Sequence, residues 1–175
     1  MIRDIVIYPD KRLKIVSKAV EFFDEKLHTL LDDMYETMVA KNGVGLAAIQ
    51  IGVPQRVLII NVPIESDDEG SHPEQPKDNT LEVINPVITR SEGMVKFQEG
   101  CLSLPGVYED VERYAEVTVE YQDRNGKKLL IEDDEFLAIA LQHEIDHLDG
   151  KVFIEKLSYI KRKKFEKEWR KSRKQ

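Results

Sequence analysis

The sequence predicts an α+β fold, in which small antiparallel or mixed sheets pack around a central helix that carries His143 and His147, with further helices towards both ends. Three observations lead to this prediction. Apolar residues recur at helical spacing in the N-terminal part, around residue 140 and near the C-terminus. Short apolar runs typical of strands lie between these segments. Asn125-Gly126 separates two of the runs and is a strong hairpin signal.

The outer helices are predicted over residues 25–40 and 158–173. Asp24 can cap the first of them, which ends at Asn42-Gly43. Its buried stripe is expected to consist of Leu27, Leu30, Leu31, Met34 and Met38. In the last helix Phe165 and Trp169 lie one turn apart among lysines and arginines, so a small apolar face stands beside a basic one.

Strands are expected at residues 5–7, 56–61, 81–88, 116–121 and 128–132. Pro86 has no N–H group to donate, so the strand that contains it should lie at an edge or carry a bulge. Residues 65–80 have almost no apolar content and are predicted to be a flexible acidic loop. Because no linker or internal repeat interrupts the pattern, residues 1–175 are expected to form a single domain.

Composition restricts the function classes. With 41% hydrophobic and 34% charged residues, the chain is typical of globular proteins. No apolar run approaches the ~20 residues of a membrane span, and the N-terminal apolar block is too short for a signal peptide, so a cytoplasmic location is expected. Residues 156–175 carry ten Lys/Arg and two Glu, whereas the preceding residues are strongly acidic. Only this basic end is therefore a candidate for binding nucleic acid.

The segment Gln142–His147 has the pattern HExxH. In a helix, four residues bring His143 and His147 to the same face about 6 Å apart along the axis, which suits two ligands of one metal ion. Glu144 projects about 100° away from His143, a position suited to a general base acting on water. Acidic residues at 133–134 and a glycine at 150 support the start and the end of this helix.

A third ligand has to come from elsewhere in the chain. The metzincin pattern fails, because its final histidine would stand at Phe153. A thermolysin-like ligand could be Glu166 or Glu168, but both lie in the basic helix, whose composition indicates solvated surface. Cys101 is the better candidate, because a thiolate and two imidazoles leave one open coordination position. A Cys–His nucleophile pair is the competing use of this thiol, and it leaves Glu144 without a task.

Three segments of the chain together resemble the peptide deformylases. They are Gly43-Val44-Gly45-Leu46-Ala47-Ala48-Ile49-Gln50, Glu99-Gly100-Cys101-Leu102-Ser103 and Gln142-His143-Glu144-Ile145-Asp146-His147. The resemblance extends over nearly the whole chain. It implies hydrolysis of the formyl group from the N-terminal formyl-methionine of newly made polypeptides, with release of formate. A metallopeptidase of similar chemistry and a non-enzymatic, metal-stabilised binding module are the alternatives.

The resemblance also implies roles for individual residues. Cys101, His143 and His147 match metal ligands, Glu144 matches the general acid/base, and the Gln50 amide and the Leu102 N–H match oxyanion donors. Residues matching the substrate-binding positions are Val44, Gly45, Phe97, Gly100, Phe136, Ile139 and Ala140. The implied metal is ferrous iron, replaceable by Zn, Ni or Co.

Two features of this chain differ from those of some family members. Tyr108 stands where some family members carry an arginine that aids peptide binding, and the loop at 65–80 is longer than in the shortest members. We expect Glu99 to pair with Arg113 and so hold the Cys101 strand in place. The basic C-terminal helix could steer the enzyme to ribosomal RNA, whereas DNA and membranes are not expected partners.

Overall fold

Three α-helices, seven strands and four short 3₁₀-helices make up the regular structure of residues 1–173, which are the residues that the computed structural model describes. The helices are α1 (Glu25–Ala40), α2 (Phe136–Leu148) and α3 (Tyr159–Arg173). The strands are β1 (Gly45–Ala47), β2 (Val57–Ile60), β3 (Leu81–Glu92), β4 (Val95–Cys101), β5 (Leu104–Arg113), β6 (Glu116–Gln122) and β7 (Lys128–Asp133). The predicted α+β class is confirmed.

The strands form two antiparallel sheets. The larger sheet has the order β1-β2-β3-β6-β7, and the smaller one consists of β4 and β5. Strand β1 is therefore an outer strand of the larger sheet, and β4 is paired on one side by β5. Within residues 1–173, β1 and β4 each have one edge that no other strand pairs with, and unpaired strand edges can bind an extended peptide.

Helices α1 and α2 cover opposite faces of the larger sheet, and β2 shows why. All four of its residues are buried: Val57 and Ile59 pack in the cluster that contains α1, whereas Leu58 and Ile60 pack in the cluster that contains α2. A strand covered on both faces has a continuous apolar sequence rather than an alternating one. This arrangement makes α2 a central element, buried along most of its length.

Helix α1 begins and ends as its sequence predicts. The Asp24 side chain accepts a hydrogen bond from the Leu27 N–H, and the predicted apolar stripe is buried. After α1 the chain reverses at Asn42, whose φ of 58° lies in the left-handed region. Asparagine tolerates this conformation better than most residues, which explains the sharp passage from α1 into β1.

Helix α3 is docked through its two large apolar side chains. Phe165 and Trp169 are buried in a third apolar cluster, together with Leu104 and Phe153. Both rings also contact Tyr8, at centroid distances of 5.9 and 6.1 Å. The basic residues of α3 consequently face outward while its apolar face closes the core behind the smaller sheet.

The predicted strand at residues 5–7 is wrong. This segment lies outside both sheets. Val6 donates its N–H to the Gln50 carbonyl in the 3₁₀-helix Ala48–Ile51, and Tyr8 donates its N–H to the Ser103 carbonyl in the turn after β4. Of the two alternatives predicted for Pro86, the bulge is correct and the edge position is not. Strand β3 lies in the middle of the larger sheet, and its pairing with β6 shifts register between Ile84 and Val87.

Strand β5 was not predicted, and for β4 the sequence predicts only that Cys101 lies on a strand. Most of their residues are exposed or half-buried, so the apolar alternation that reveals a strand is weak. Residues 65–74 are exposed as predicted, and Lys77–Asn79 form one turn of 3₁₀-helix. Among the described residues, no helix is both long and apolar enough to span a membrane.

Candidate active site

Helix α2 brings His143 and His147 next to Cys101, which ends strand β4. The Cys101 Sγ and the His147 Nε2 are 3.4 Å apart, and the two imidazole rings have a centroid distance of 5.1 Å. One donor atom from each of the three residues lies within 4.8 Å of the others. Sulfur and imidazole donors at such distances can converge on a single metal ion. The structure thus brings together the three residues that the sequence singled out.

The two imidazoles have different surroundings. His143 directs Nδ1 to the Glu99 carboxylate at 2.7 Å, which leaves its Nε2 facing the cluster. His147 is fully buried, and its Nδ1 has no hydrogen-bond partner within residues 1–173. Burial lowers the pKa of His147 well below its usual value. A neutral imidazole keeps the lone pair that a metal ligand needs.

His143 is hydrogen-bonded to a buried ion pair formed by Glu99 and Arg113. Arg113 donates from Nε and Nη2 to the two oxygens of Glu99, each at 2.8 Å, and both side chains are almost completely buried. Burial alone would raise the pKa of Glu99, but the hydrogen bonds from Arg113 and His143 lower it. The remaining terminal nitrogen of Arg113 donates to Asp146 on α2. The predicted contact between Glu99 and Arg113 is present, and it extends to two residues of α2.

Glu144 is buried beside the cluster. Its Oε1 lies 3.8 Å from the Nε2 of His143, and its Oε2 has no hydrogen-bond partner within residues 1–173. Burial raises the pKa of Glu144 to about 7. A carboxyl group with a pKa near neutrality can both accept and return a proton at physiological pH. Gly45 makes room for it, since a Cβ there would lie 2.9 Å from Oε1.

The polar side chain of Gln50 is accommodated within an apolar segment because its amide group is hydrogen-bonded. It is almost fully buried, and its Oε1 accepts a hydrogen bond from the Ala47 N–H at 2.9 Å. Its Nε2 lies 3.1 Å from the Ser103 Oγ and 3.4 Å from the Cys101 Sγ. The amide is therefore fixed with its donor end towards the cluster. Leu102, the next residue after Cys101, lines the same cavity.

A cavity of about 510 Å³ opens over these groups. One side is formed by the residues that lead into β1, another by β4 and the turn after it, and a third by the start of α2. All residues that the sequence assigned to substrate binding line this cavity: Val44, Gly45, Phe97, Gly100, Phe136, Ile139 and Ala140. Gln50, Cys101, Leu102, His143 and Glu144 line it as well. His147 and Arg113 are not among the lining residues.

Sequence reasoning missed two residues at this site. Asp146 binds Arg113, and Ser103 contacts Gln50 through its hydroxyl group. Both residues lie within the segments that resemble the peptide deformylases, and this position is the only sequence signal for a role at the site. The Tyr108 ring packs over Gly100, where a Cβ would come within 2.7 Å of it. Only the pairing of β4 with β5 brings these two residues together.

Comparisons with known proteins agree with this geometry. The family model for polypeptide deformylase matches residues 2–163. The peptide deformylase of Nautilia profundicola is 56% identical over 172 residues, which are 98% of this chain and 95% of the relative. The peptide deformylase of Campylobacter jejuni is 52% identical over 175 residues, covering 99% and 97% of the two chains.

Solved structures give the same result for the fold. The crystal structure of a peptide deformylase from Legionella pneumophila is 42% identical with a TM-score of 0.86, covering 99% of this chain and 96% of the other. The peptide deformylase of Thermus thermophilus is 40% identical with a TM-score of 0.82, covering 97% and 93%. The chain therefore belongs to the peptide deformylase family, the hydrolases that remove the N-formyl group from newly made polypeptides.

Proposed function

We propose that Cys101, His143 and His147 hold one divalent metal ion, and that Glu144 is the general acid/base for hydrolysis of the formyl group. The observation that supports this most directly is the convergence of one sulfur and two nitrogen donors beside a buried carboxylate, at the floor of a cavity. A thiolate with two imidazoles suits ferrous iron and zinc. We take ferrous iron as the native metal, with Zn, Ni or Co as substitutes.

When bound, a divalent ion supplies Lewis-acid polarisation of a carbonyl group and lowers the pKa of a coordinated water molecule. The protein groups carry out the proton transfers. Glu144 accepts a proton from the attacking water and then delivers it to the leaving amine, which its raised pKa favours. The Gln50 Nε2 and the Leu102 N–H donate hydrogen bonds to the developing oxyanion. Loss of one such donor typically costs a factor of ~10²–10³ in rate.

The peptide would bind in an extended conformation between the edges of β1 and β4. Gly45 and Gly100 lie on these two edges, and the lack of side chains allows another backbone to come close. The methionine side chain would occupy the apolar part of the cavity, formed by Val44, Phe97, Phe136, Ile139 and Ala140. The ring centroids of Phe97 and Phe136 are 5.7 Å apart, and both rings can make aromatic contacts with the thioether of the methionine side chain.

The Glu99–Arg113 pair would hold the metal site from behind. Its hydrogen bond to Nδ1 fixes the ring of His143, and the contact with Asp146 ties the same arginine to α2. Such partners orient a metal-binding imidazole and increase its basicity. We further propose that the protein acts in the cytoplasm, where polypeptide synthesis supplies the substrate, as one domain of residues 1–175 with a flexible loop at 65–80.

A contact with the ribosome is the last part of this proposal. Helix α3 exposes most of its basic side chains, while Phe165 and Trp169 are buried. Its first residues, Tyr159 and Ile160, are also highly exposed. A surface of positive charge is suited to the phosphate backbone of ribosomal RNA. Binding there would hold the enzyme close to emerging chains.

Replacement of Glu144 by Gln tests the general acid/base. The amide is nearly isosteric but cannot accept the proton, so formate release from formyl-Met-Ala should fall at least ~100-fold. The enzyme is prepared anaerobically with iron, and its metal content should not change. Glu120→Gln, on the exposed side of β6, is the matched control. Near-normal activity of Glu144→Gln would remove Glu144 from the mechanism.

Removal of the metal tests the cofactor. Chelation should abolish formate release, and anaerobic addition of ferrous iron should restore it more fully than Zn. Cys101→Ser should retain less metal because it replaces the soft sulfur donor by a hydroxyl group. Acetyl-Met-Ala serves as a second substrate, since a site shaped for a formyl hydrogen should reject the larger acetyl group. Full activity of the metal-free protein, or equal rates on both substrates, would contradict the assignment.

Replacement of Arg113 by Ala tests the buried pair. It leaves the buried Glu99 carboxylate without its positively charged partner and with only the His143 ring nitrogen as a contact, so the free energy of unfolding should fall by about 3–5 kcal/mol. Metal affinity should fall about 10–100-fold as His143 loses its support. Arg90→Ala, which breaks an exposed pair with Glu92, is the control and should change neither quantity much. Unchanged metal affinity in the Arg113 variant would refute the proposed role.

Neutralisation of α3 tests the ribosome contact without damaging the core. Exposed lysines at four positions are changed to glutamine together: Lys161, Lys164, Lys167 and Lys171. Co-sedimentation with ribosomes should weaken strongly and become less dependent on salt, because fewer phosphate contacts remain. The control carries the same change at four exposed lysines elsewhere: Lys26, Lys96, Lys127 and Lys128. Equal co-sedimentation of both variants with the wild type would end this part of the proposal.

A further inference from the structure

The glycine-rich segment Gly43–Gly45, which lines the cavity, is held from the side by a residue of the polar loop. The Gln75 Nε2 donates to the Gly43 carbonyl and to the Asn61 carbonyl, both at 2.9 Å. Gln75 is half-buried, in contrast to the exposed residues before it. One side-chain amide thus joins the approach to β1 with the residue that follows β2.

Gln75 is itself held in position by several contacts. The Tyr35 hydroxyl group on α1 donates to the Gln75 carbonyl at 2.6 Å. The Asn61 Nδ2 donates to the Pro76 carbonyl and lies 2.9 Å from the Thr80 Oγ1. The backbones of Ile64 and Glu74 pair with each other in both directions, at 2.8 and 2.9 Å. The end of the loop is therefore anchored, whatever the motion of the residues before it.

The segment Gly43–Gly45 is held in place by several hydrogen bonds to neighbouring elements. It begins directly after Asn42, where the left-handed backbone reverses the chain. Gly43 contributes its N–H to the Met38 carbonyl, and the Val44 carbonyl accepts from the Asn61 N–H. With Gln75 bound to the Gly43 carbonyl, the backbone is fixed on the side away from the cavity. Its other side remains open to a peptide.

We infer that Gln75 is a positioning residue for peptide binding, which sets the path of Gly43–Gly45 so that this edge can pair with the substrate backbone. Gln75 does not line the cavity, so it acts on the peptide only through the segment it holds. This inference deepens the proposed function and rests on its placement of the peptide beside β1. It predicts an effect on substrate binding rather than on the reaction itself.

Two variants of Gln75 test the inference. Gln75→Ala removes the amide, and Gln75→Glu keeps its size and removes the N–H donors. With formyl-Met-Ala-Ser, KM should rise about three- to tenfold in both variants, the range expected for one or two hydrogen bonds, while kcat stays within about twofold. Formyl-methionine offers less backbone to pair, so its KM should change less. Metal content should equal that of the wild type.

The control variant is Glu74→Ala. Glu74 is the neighbouring residue, it is exposed, and its side chain makes no hydrogen bond or ion pair within residues 1–173. Its KM should not change. Amide hydrogen exchange supplies a readout apart from activity: exchange at residues 43–46 should be faster in the Gln75 variants, whereas exchange in α2 should not.

Unchanged KM for the tripeptide in the Gln75 variants, or a fall of kcat at constant KM, would overturn the inference. Unchanged exchange at residues 43–46 would overturn it as well. Should Gln75→Ala not fold, Gln75→Glu is judged by the same criteria. A wild-type protein that releases no formate would instead count against the proposed function, so the two failures can be told apart.

Discussion

The buried bidentate pair between Arg113 and Glu99 is the interaction on which the rest of the site depends. It joins the two strands of the smaller sheet, and through His143 and Asp146 it also joins that sheet to α2. Cys101 lies two residues beyond Glu99, so the same contact determines where its sulfur stands relative to the imidazoles. A buried charge pair with every polar atom engaged defines one geometry, because any displacement leaves a charge unpaired in a medium of low polarity.

Burial also changes the proton affinities of two residues at the site. Helix α2 is buried along most of its length, and this burial raises the pKa of Glu144 to about 7 and lowers the pKa of His147 well below its usual value. Glu144 and His147 retain buried polar atoms without partners within residues 1–173, at the place where a metal and a substrate would act. Such atoms are costly in a core that serves stability alone. These two atoms lie beside the cluster of Cys101, His143 and His147, which agrees with the proposed metal site.

The two strand edges beside the cavity are prepared differently. The β4 edge is held from behind by the Arg113 pair, whereas the approach to β1 is held by Gln75 and Asn61. Each edge contributes a glycine to the cavity lining, Gly45 on β1 and Gly100 on β4. A polar loop without sequence signals for structure thus contributes, through one amide, to the shape of the cleft.

Local sequence patterns were sufficient to predict those elements that depend on interactions between residues close together in the chain. The cap at Asp24, the stripe of α1, the hairpin at Asn125-Gly126 and the spacing of His143, Glu144 and His147 depend on residues close together in the chain, and they were read correctly. The family resemblance came from three such short segments. Tertiary structure alone decided the rest. Strands β4 and β5 pair with each other although neither shows a clear apolar alternation, and the segment at residues 5–8 bonds to a 3₁₀-helix and a turn far along the chain. The meeting of Gln75 with Gly43, of Tyr108 with Gly100 and of Asp146 with Arg113 follows from the packing of distant elements, which no local pattern records.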